Sequence, residues 1–348
     1  MRKFKFLWIC LDMHGCPNRC LHCWLGHGPP AAEQTASRMS EDDLRFAAEA
    51  FRPFTRELKV HSWYREPDFP DNYRLLWELE NALSTKTAKP HDELMSVWRA
   101  ARDPEYVPWL AGLGLKACQL TLFGGEAMTD KYTGRKGAYR DILRSIEQLL
   151  ANGIAPRIQT FVNRETIEEM HLIDDLIRSY SIELAFAHQG SCTGAGAALY
   201  DVFPVPETLE RMPPLLTALS LKHWKAKSLA EIFGTTEQAL CQKLVHSRNT
   251  RSFVTNKPVF FIDRNWEVYP NISAPAAQWR LGNLKRDGAG AVIERYLSEI
   301  SPAQAARRNT PLGEMVRACG DPNSRKLFAE GDYREYILDQ YCERELNV

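Results

Sequence analysis

The chain has 348 residues, with 44 basic and 44 acidic side chains and 44% apolar residues. This is the composition of an ordinary globular protein with room for one large domain and a smaller one, and its zero formal charge gives no global support for nucleic-acid or membrane binding. No apolar run reaches the roughly 18 residues needed to span a bilayer, and the apolar start is cut short by Asp12, so it reads as a first strand and not an export signal.

Phe4 to Leu11 is strand-like and runs into Cys16-Pro-Asn-Arg-Cys20-Leu-His-Cys23, followed by a breaker cluster at 26–30. Ser40, followed by three acidic residues, predicts a helix N-cap, and Leu44, Phe46, Ala47, Ala50 and Phe51 suit one helical face. Residues 57–63 alternate like a strand, 64–71 form a loop, and Tyr73 to Leu83 is helical. More helix and turn follow to 116. Ala117 to Phe123 is a buried strand ending in Gly124-Gly125-Glu126. Tyr139 to Ala151 is an amphipathic helix, Arg157 to Val162 a strand, Glu165 to Tyr180 a helix and Ile182 to Ala187 a strand. Strands alternating with crossover-length segments argue for a parallel α/β sheet or barrel. From 189 a glycine-rich loop leads into a mostly helical stretch at 207–245. Val259–Ile262 and Trp266–Tyr269 read as a β-hairpin, and the tail after Gly288 is helical.

The chemistry concentrates in Cys16, Cys20 and Cys23, spaced C-x3-C-x2-C. Three thiolates on one short loop can converge on one point. An iron–sulfur cube has four irons and accepts Cys ligands, so three thiolates leave one iron open to bind and activate a small molecule. A Zn ion is the second occupant, completed by His14, His22 or His27, although structural Zn sites favour closed four-ligand shells. Nine cysteines, an odd and scattered number, place the chain in the reducing cytoplasm, where cysteines point to metal or redox work.

Cys16, Cys20 and Cys23 after a first strand, with Gly124-Gly125-Glu126 at a later strand end, resemble the radical S-adenosylmethionine (radical SAM) superfamily. The resemblance implies a partial (β/α)6 TIM-type barrel with its site at the carboxyl ends of the strands. It implies a [4Fe–4S] cluster on Cys16, Cys20 and Cys23, with SAM on the open iron. One electron, delivered by a flavodoxin- or ferredoxin-like reductase, cleaves SAM to a 5′-deoxyadenosyl radical that takes hydrogen from a substrate. Gly124, Gly125 and Glu126 are then expected at the SAM amino group, His22 at the adenine and Asn163 facing SAM or capping the next helix. Trp63-Tyr-Arg-Glu66-Pro67 is a looser version of the second motif, and Glu126 is preferred because of its two glycines. That preference makes 57–116 an insertion at the barrel mouth. The strand ending Ala187-His188 departs from the family's serine, so His188 becomes a candidate proton donor or acceptor; Cys192, in the glycine-rich loop, is a second candidate.

The C-terminal part resembles the SPASM/twitch extension of peptide-modifying radical SAM enzymes. Asn271 replaces an expected cysteine, and Cys319 and Cys342 cannot alone supply a four-thiolate shell. The expected organisation is a radical SAM barrel at 1–255 and a small α+β extension at 256–348 without an auxiliary cluster. The substrate is a peptide or small metabolite. The rival reading is a non-enzymatic Zn or iron–sulfur redox sensor.

Overall fold

The computed structural model describes residues 4–25, 39–63, 65–86, 94–270 and 275–346. His27, Tyr64 and Asn271 therefore lie outside the described residues. Strand β1 (Phe4–Leu11) leads to helix α1 (Glu41–Phe51), whose N-terminus is closed by reciprocal hydrogen bonds between Ser40 and Asp43. Strand β2 (Thr55–His61) follows and pairs in parallel with β1 from Phe4↔Thr55 to Cys10↔His61. The stretch from 57, expected to be inserted, thus opens on a strand of the sheet itself. Helices α2 (Tyr73–Leu83), α3 (Val97–Ala100) and α4 (Tyr106–Gly112) then lead to β3 (Ala117–Leu122).

Helices α5 (Glu126–Thr133) and α6 (Ala138–Ala151), strand β4 (Ala155–Phe161), helix α7 (Met170–Ser179) and strand β5 (Leu184–His188) complete a second parallel sheet in the order β3-β4-β5. The helix expected over 165–180 begins as a tight 3-10 turn at Thr166–Glu169, where Asn163 Oδ1 caps the N–H groups of Glu165 and Thr166 at 2.8 Å each. Side-chain alternation divides each strand. Cys118, Leu120, Leu122, Ile158, Ala185 and Ala187 enter the core beneath the helices. Gln119, Thr121, Gln159, Phe161 and His188 face the other side.

Short helices α8 (Pro206–Leu209), α9 (Pro214–Trp224) and α10 (Leu229–Phe233) follow, then the two-residue strand β6 (Thr235–Thr236) and α11 (Glu237–Leu244). The hairpin of β7 (Val259–Ile262) and β8 (Glu267–Pro270) forms close to where the alternation places it, and β7 pairs in parallel with β1 on the edge opposite β2. Strand β9 (Gly282–Asn283) extends this sheet to the order β2-β1-β7-β8-β9. Helix α12 (Leu284–Ser298), kinked at Gly288, leads to α13 (Pro302–Asn309), α14 (Leu312–Cys319), strand β10 (Leu327–Phe328) and α15 (Glu330–Glu345).

The fold is mixed α/β with parallel sheets, as a partial barrel requires, and the strands are not closed into one continuous sheet. Two large apolar cores match the two sheets. One gathers Leu7, Ile9, Phe260 and the C-terminal helices; the other gathers Leu120, Ile146, Ile158 and Ile177. Among the described residues no helix is long and apolar enough to cross a membrane.

Candidate functional site

A cavity of about 430 Å³ opens at the carboxyl ends of the parallel strands, and Cys16, Cys20 and Cys23 all line it. The thiol loop is fastened to the end of α5. Arg19 N–H donates to Thr133 O at 2.8 Å and Leu21 N–H to Tyr132 O at 2.9 Å. Gly134 ends that helix at φ +62, and a Cβ there would stand 2.7 Å from Arg19 O. Only glycine permits both the left-handed turn and so close an approach. Arg135 Nε then donates to Asn18 Oδ1 at 2.7 Å, fixing the loop from its other side.

None of the nine cysteines is joined to another in a disulfide. Burial pushes the Cys16 and Cys20 thiols up, and Cys23 pushes both in the same direction, so the three sulfurs lie within electrostatic reach of one another. Arg135 pulls Cys20 back down. Arg65 and Arg135 both stand in the cavity wall. Three thiols lining one cavity with Arg65 and Arg135 in its wall, each arginine also paired with a buried carboxylate (Asp12 and Asp141), fit an iron–sulfur cluster. Among the described residues no three His, Cys, Asp or Glu side chains are gathered tightly enough to hold a single metal ion.

The carboxylate beside the thiols is Glu66. Its Oε2 lies 3.9 Å from Cys16 Sγ, and its Oε1 accepts from Ser96 Oγ at 2.8 Å. Glu66 is 8% exposed, and burial raises its carboxyl to about 7. The segment that follows is braced from 94–112. Tyr106 OH donates to Asp68 Oδ2 at 2.7 Å, and the Arg99 guanidinium donates to the carbonyls of Asp68 and Phe69, each at 2.7 Å. Asp68 sits at φ +54, a conformation that a non-glycine residue holds only when its surroundings fix it. Arg65 leaves the same segment to meet buried Asp12 at 3.0 Å.

Glu126 is elsewhere. It is exposed and pairs with Arg140 at 2.8 Å. Gly124 and Gly125 do not line the cavity either; their space is taken by Glu169, whose Oε2 accepts from Gly125 N–H at 2.8 Å. Asn163 is buried away from the cavity, capping its turn and donating to Tyr132 OH at 2.9 Å. Cys192 is also buried outside it, 3.1 Å from the Asp332 carbonyl.

His22 and His188 do reach the cavity. The His22 ring lies 4.4 Å from Phe161 and 4.9 Å from Phe123, and burial lowers its pKa to about 3. Its Nδ1 is buried without a hydrogen-bond partner. His188 ends a one-way chain across the sheet. Arg157 donates to Gln119 Oε1 at 2.7 Å, Gln119 Nε2 donates to Gln159 Oε1, and Gln159 Nε2 lies 2.6 Å from His188 Nε2. A guanidinium only donates, so the direction is fixed at Arg157 and passed along, and His188 Nε2 must accept. Burial lowers the His188 pKa to about 4, which agrees with a neutral ring. The expected donor-or-acceptor role at His188 therefore narrows to acceptor. Gln119, Gln159 and Phe161 were not singled out in the sequence. Their signal was polar and aromatic side chains alternating on strands whose other face is apolar except for buried Thr160.

The family model for the radical SAM superfamily matches residues 11–177. No curated protein sequence matches the chain. Among solved structures, native anSMEcpe with bound AdoMet is similar at 13% identity and a TM-score of 0.55, covering 98% of each chain. The same protein with bound AdoMet and the Kp18Cys peptide is similar at 12% identity, 0.55 and 98% of each chain. Streptococcus suis SuiB bound to S-adenosylmethionine aligns over 86% of this chain and 65% of its own, at 12% identity and a TM-score of 0.49.

Proposed function

From a chain that carries a radical SAM domain, whose family uses a [4Fe–4S] cluster and SAM, we propose an enzyme that abstracts hydrogen from an unactivated C–H bond of a peptide or peptide-like metabolite. The observation that carries this reading is the convergence of Cys16, Cys20, Cys23 and buried Glu66 on one cavity at the carboxyl ends of the strands. When bound, the cluster and SAM supply the reductive cleavage that yields the hydrogen-abstracting 5′-deoxyadenosyl radical.

The chain's own residues do the rest. Cys16, Cys20 and Cys23 hold the cluster, and Arg65 and Arg135 offset its negative charge. Glu66, held by Ser96, accepts hydrogen bonds from the SAM amino group, the role first expected of Glu126. His22, Phe123 and Phe161 form an apolar slot that keeps water from the adenosyl group. His188 presents a neutral ring to the cavity, with Nε2 accepting from Gln159 and the proton held on Nδ1. A peptide substrate is supported by the overall likeness of this fold to a structure solved with a peptide. A flavodoxin- or ferredoxin-like reductase and a cytoplasmic setting complete the proposal. Residues 256–348, whose strand β7 joins the first sheet beside β1, form a SPASM-like region without an auxiliary cluster, which favours redox-neutral outcomes such as epimerisation over oxidation.

Anaerobic reconstitution tests the reading. A brown protein whose spectrum shifts on adding SAM, and which forms 5′-deoxyadenosine with dithionite, is the expected result. A colourless protein with one Zn per chain would establish the sensor reading instead.

A further inference from the structure

One flank of the cavity is walled by His188, at the end of β5. Strand β5 ends its sheet, and α9 lies along the free edge in place of another strand. Ser220 Oγ accepts from Ala187 N–H at 2.9 Å, and Trp224 Nε1 donates to the Ala187 carbonyl at 3.1 Å. The last turn of α9 closes over the cavity side of β5. His223 stacks on Phe186 with centroids 4.0 Å apart, and the Trp224 ring lies 6.0 Å from that of His188, which lines the cavity. Trp224 is still 45% exposed. Beside it Lys222, Lys225 and Lys227 are all exposed, and among the described residues none of the three has an ion-pair partner. Lys131, Lys243 and Lys285, by contrast, are each matched to a carboxylate. The stretch 222–227 has three lysines and no acid, in a chain whose formal charge is zero.

We propose that this flank admits an acidic peptide segment of the substrate, whose carboxylates pair with Lys222, Lys225 and Lys227 while its backbone packs on Trp224. The inference rests on the peptide reading above and deepens it. Two features favour a substrate over other anionic partners. The patch is continuous, through Trp224 and His188, with the wall of the cavity that the substrate must enter. An anionic membrane or an acidic electron carrier seated here would instead cover that entrance. An exposed cationic rim also raises the local concentration of an acidic ligand and does so less at high salt.

The test is fluorescence anisotropy of a fluorescein-labelled Glu-Gly-Ser repeat peptide on the reconstituted full-length protein, with a Lys-Gly-Ser repeat as control. The acidic peptide is expected to bind, and the basic one not. K222Q/K225Q/K227Q is expected to weaken binding about tenfold, and K222Q or K227Q alone about two- to threefold, as exposed charge pairs allow. Because these side chains are exposed, the single variants keep the test valid should the triple one fold poorly. Equal binding of both peptides, or indifference to the lysines, overturns the inference. So does a triple variant that loses pelleting with phosphatidylserine vesicles, or reduction by flavodoxin, while keeping the acidic peptide. Binding is read without turnover, so absence of 5′-deoxyadenosine in the same preparation would mark failure of the enzyme reading separately.

Discussion

Exchanging Glu66 and Glu126 for glutamine separates the two candidate carboxylates. Glu66 is buried, fixed by Ser96 at 2.8 Å and 3.9 Å from Cys16 Sγ. Glu126 is 46% exposed at its side chain and paired with Arg140 in solvent. If Glu66 accepts from the SAM amino group, E66Q exchanges a charge-assisted hydrogen bond for a neutral one. A charged bond contributes about 1.5–3 kcal/mol and a neutral one about 0.5–1.5, so the exchange costs about 1–1.5 kcal/mol and SAM binding should weaken about 5- to 12-fold. E126Q removes only a solvated ion pair of about 0–1 kcal/mol, and SAM binding should change less than about threefold. Equilibrium dialysis of radiolabelled SAM against anaerobically reconstituted protein measures both, with iron content per chain as the control for cluster loading. The reasoning fails if E126Q costs as much affinity as E66Q, or if E66Q binds SAM like the parent at equal iron.

C16A, C20A and C23A should each lose most of the bound iron and the brown colour, whereas C192A and C342A, whose thiols are buried outside the cavity, should keep both by iron assay and absorbance. G134A forces a Cβ to within 2.7 Å of Arg19 O at positive φ, so it should lower the melting temperature by several degrees, about 1–3 kcal/mol, and impair cluster loading. Burial raises the Asp339 carboxyl to about 7, above its unfolded value, so the native state holds a proton that the unfolded chain has released. Asp339 thus contributes stability at low pH that is lost as pH rises from about 4 to about 7; denaturant titrations should show D339N gaining on the parent across that window and levelling off above it. A D339N advantage that fails to grow with pH would contradict that assignment.

The fold was legible because its signals are local. Ser40 with three acids marks a helix start, and the apolar runs at Phe4–Leu11 and Ala117–Leu122 mark buried strands, as found. The hairpin at 259–270 was legible for the same reason. Less legible was the partner of each strand. The pairing of β7 with β1 joins residues some 250 apart, and periodicity records which face is buried but not which neighbour lies beside it. The breaks in 207–245 were also hidden, because Gly234 and the strand at Thr235–Thr236 owe their form to Leu327 and Phe328 far along the chain.

The site was legible where chemistry fixes spacing and obscure where packing substitutes for it. Three cysteines on a short loop announce themselves. Glu66 did not, because its setting has none of the glycines that usually let a backbone edge come close. Here a segment that looks like spare helix holds 66–69 in place: Arg99 bonds its carbonyls, Ser96 the Glu66 carboxylate and Tyr106 the Asp68 carboxylate, with Asp68 at positive φ. The conspicuous glycines at 124 and 125 make room for Glu169 instead. Yet that helix still serves the site through its other end, where Thr133, Tyr132 and Gly134 seat the thiol loop. A two-glycine motif can therefore matter to a cluster without touching its cofactor, because a rigid helix transmits position along its length. Sequence alone cannot say which end of such a helix carries the constraint; the left-handed turn at Gly134, pressed against Arg19, is what decides it here.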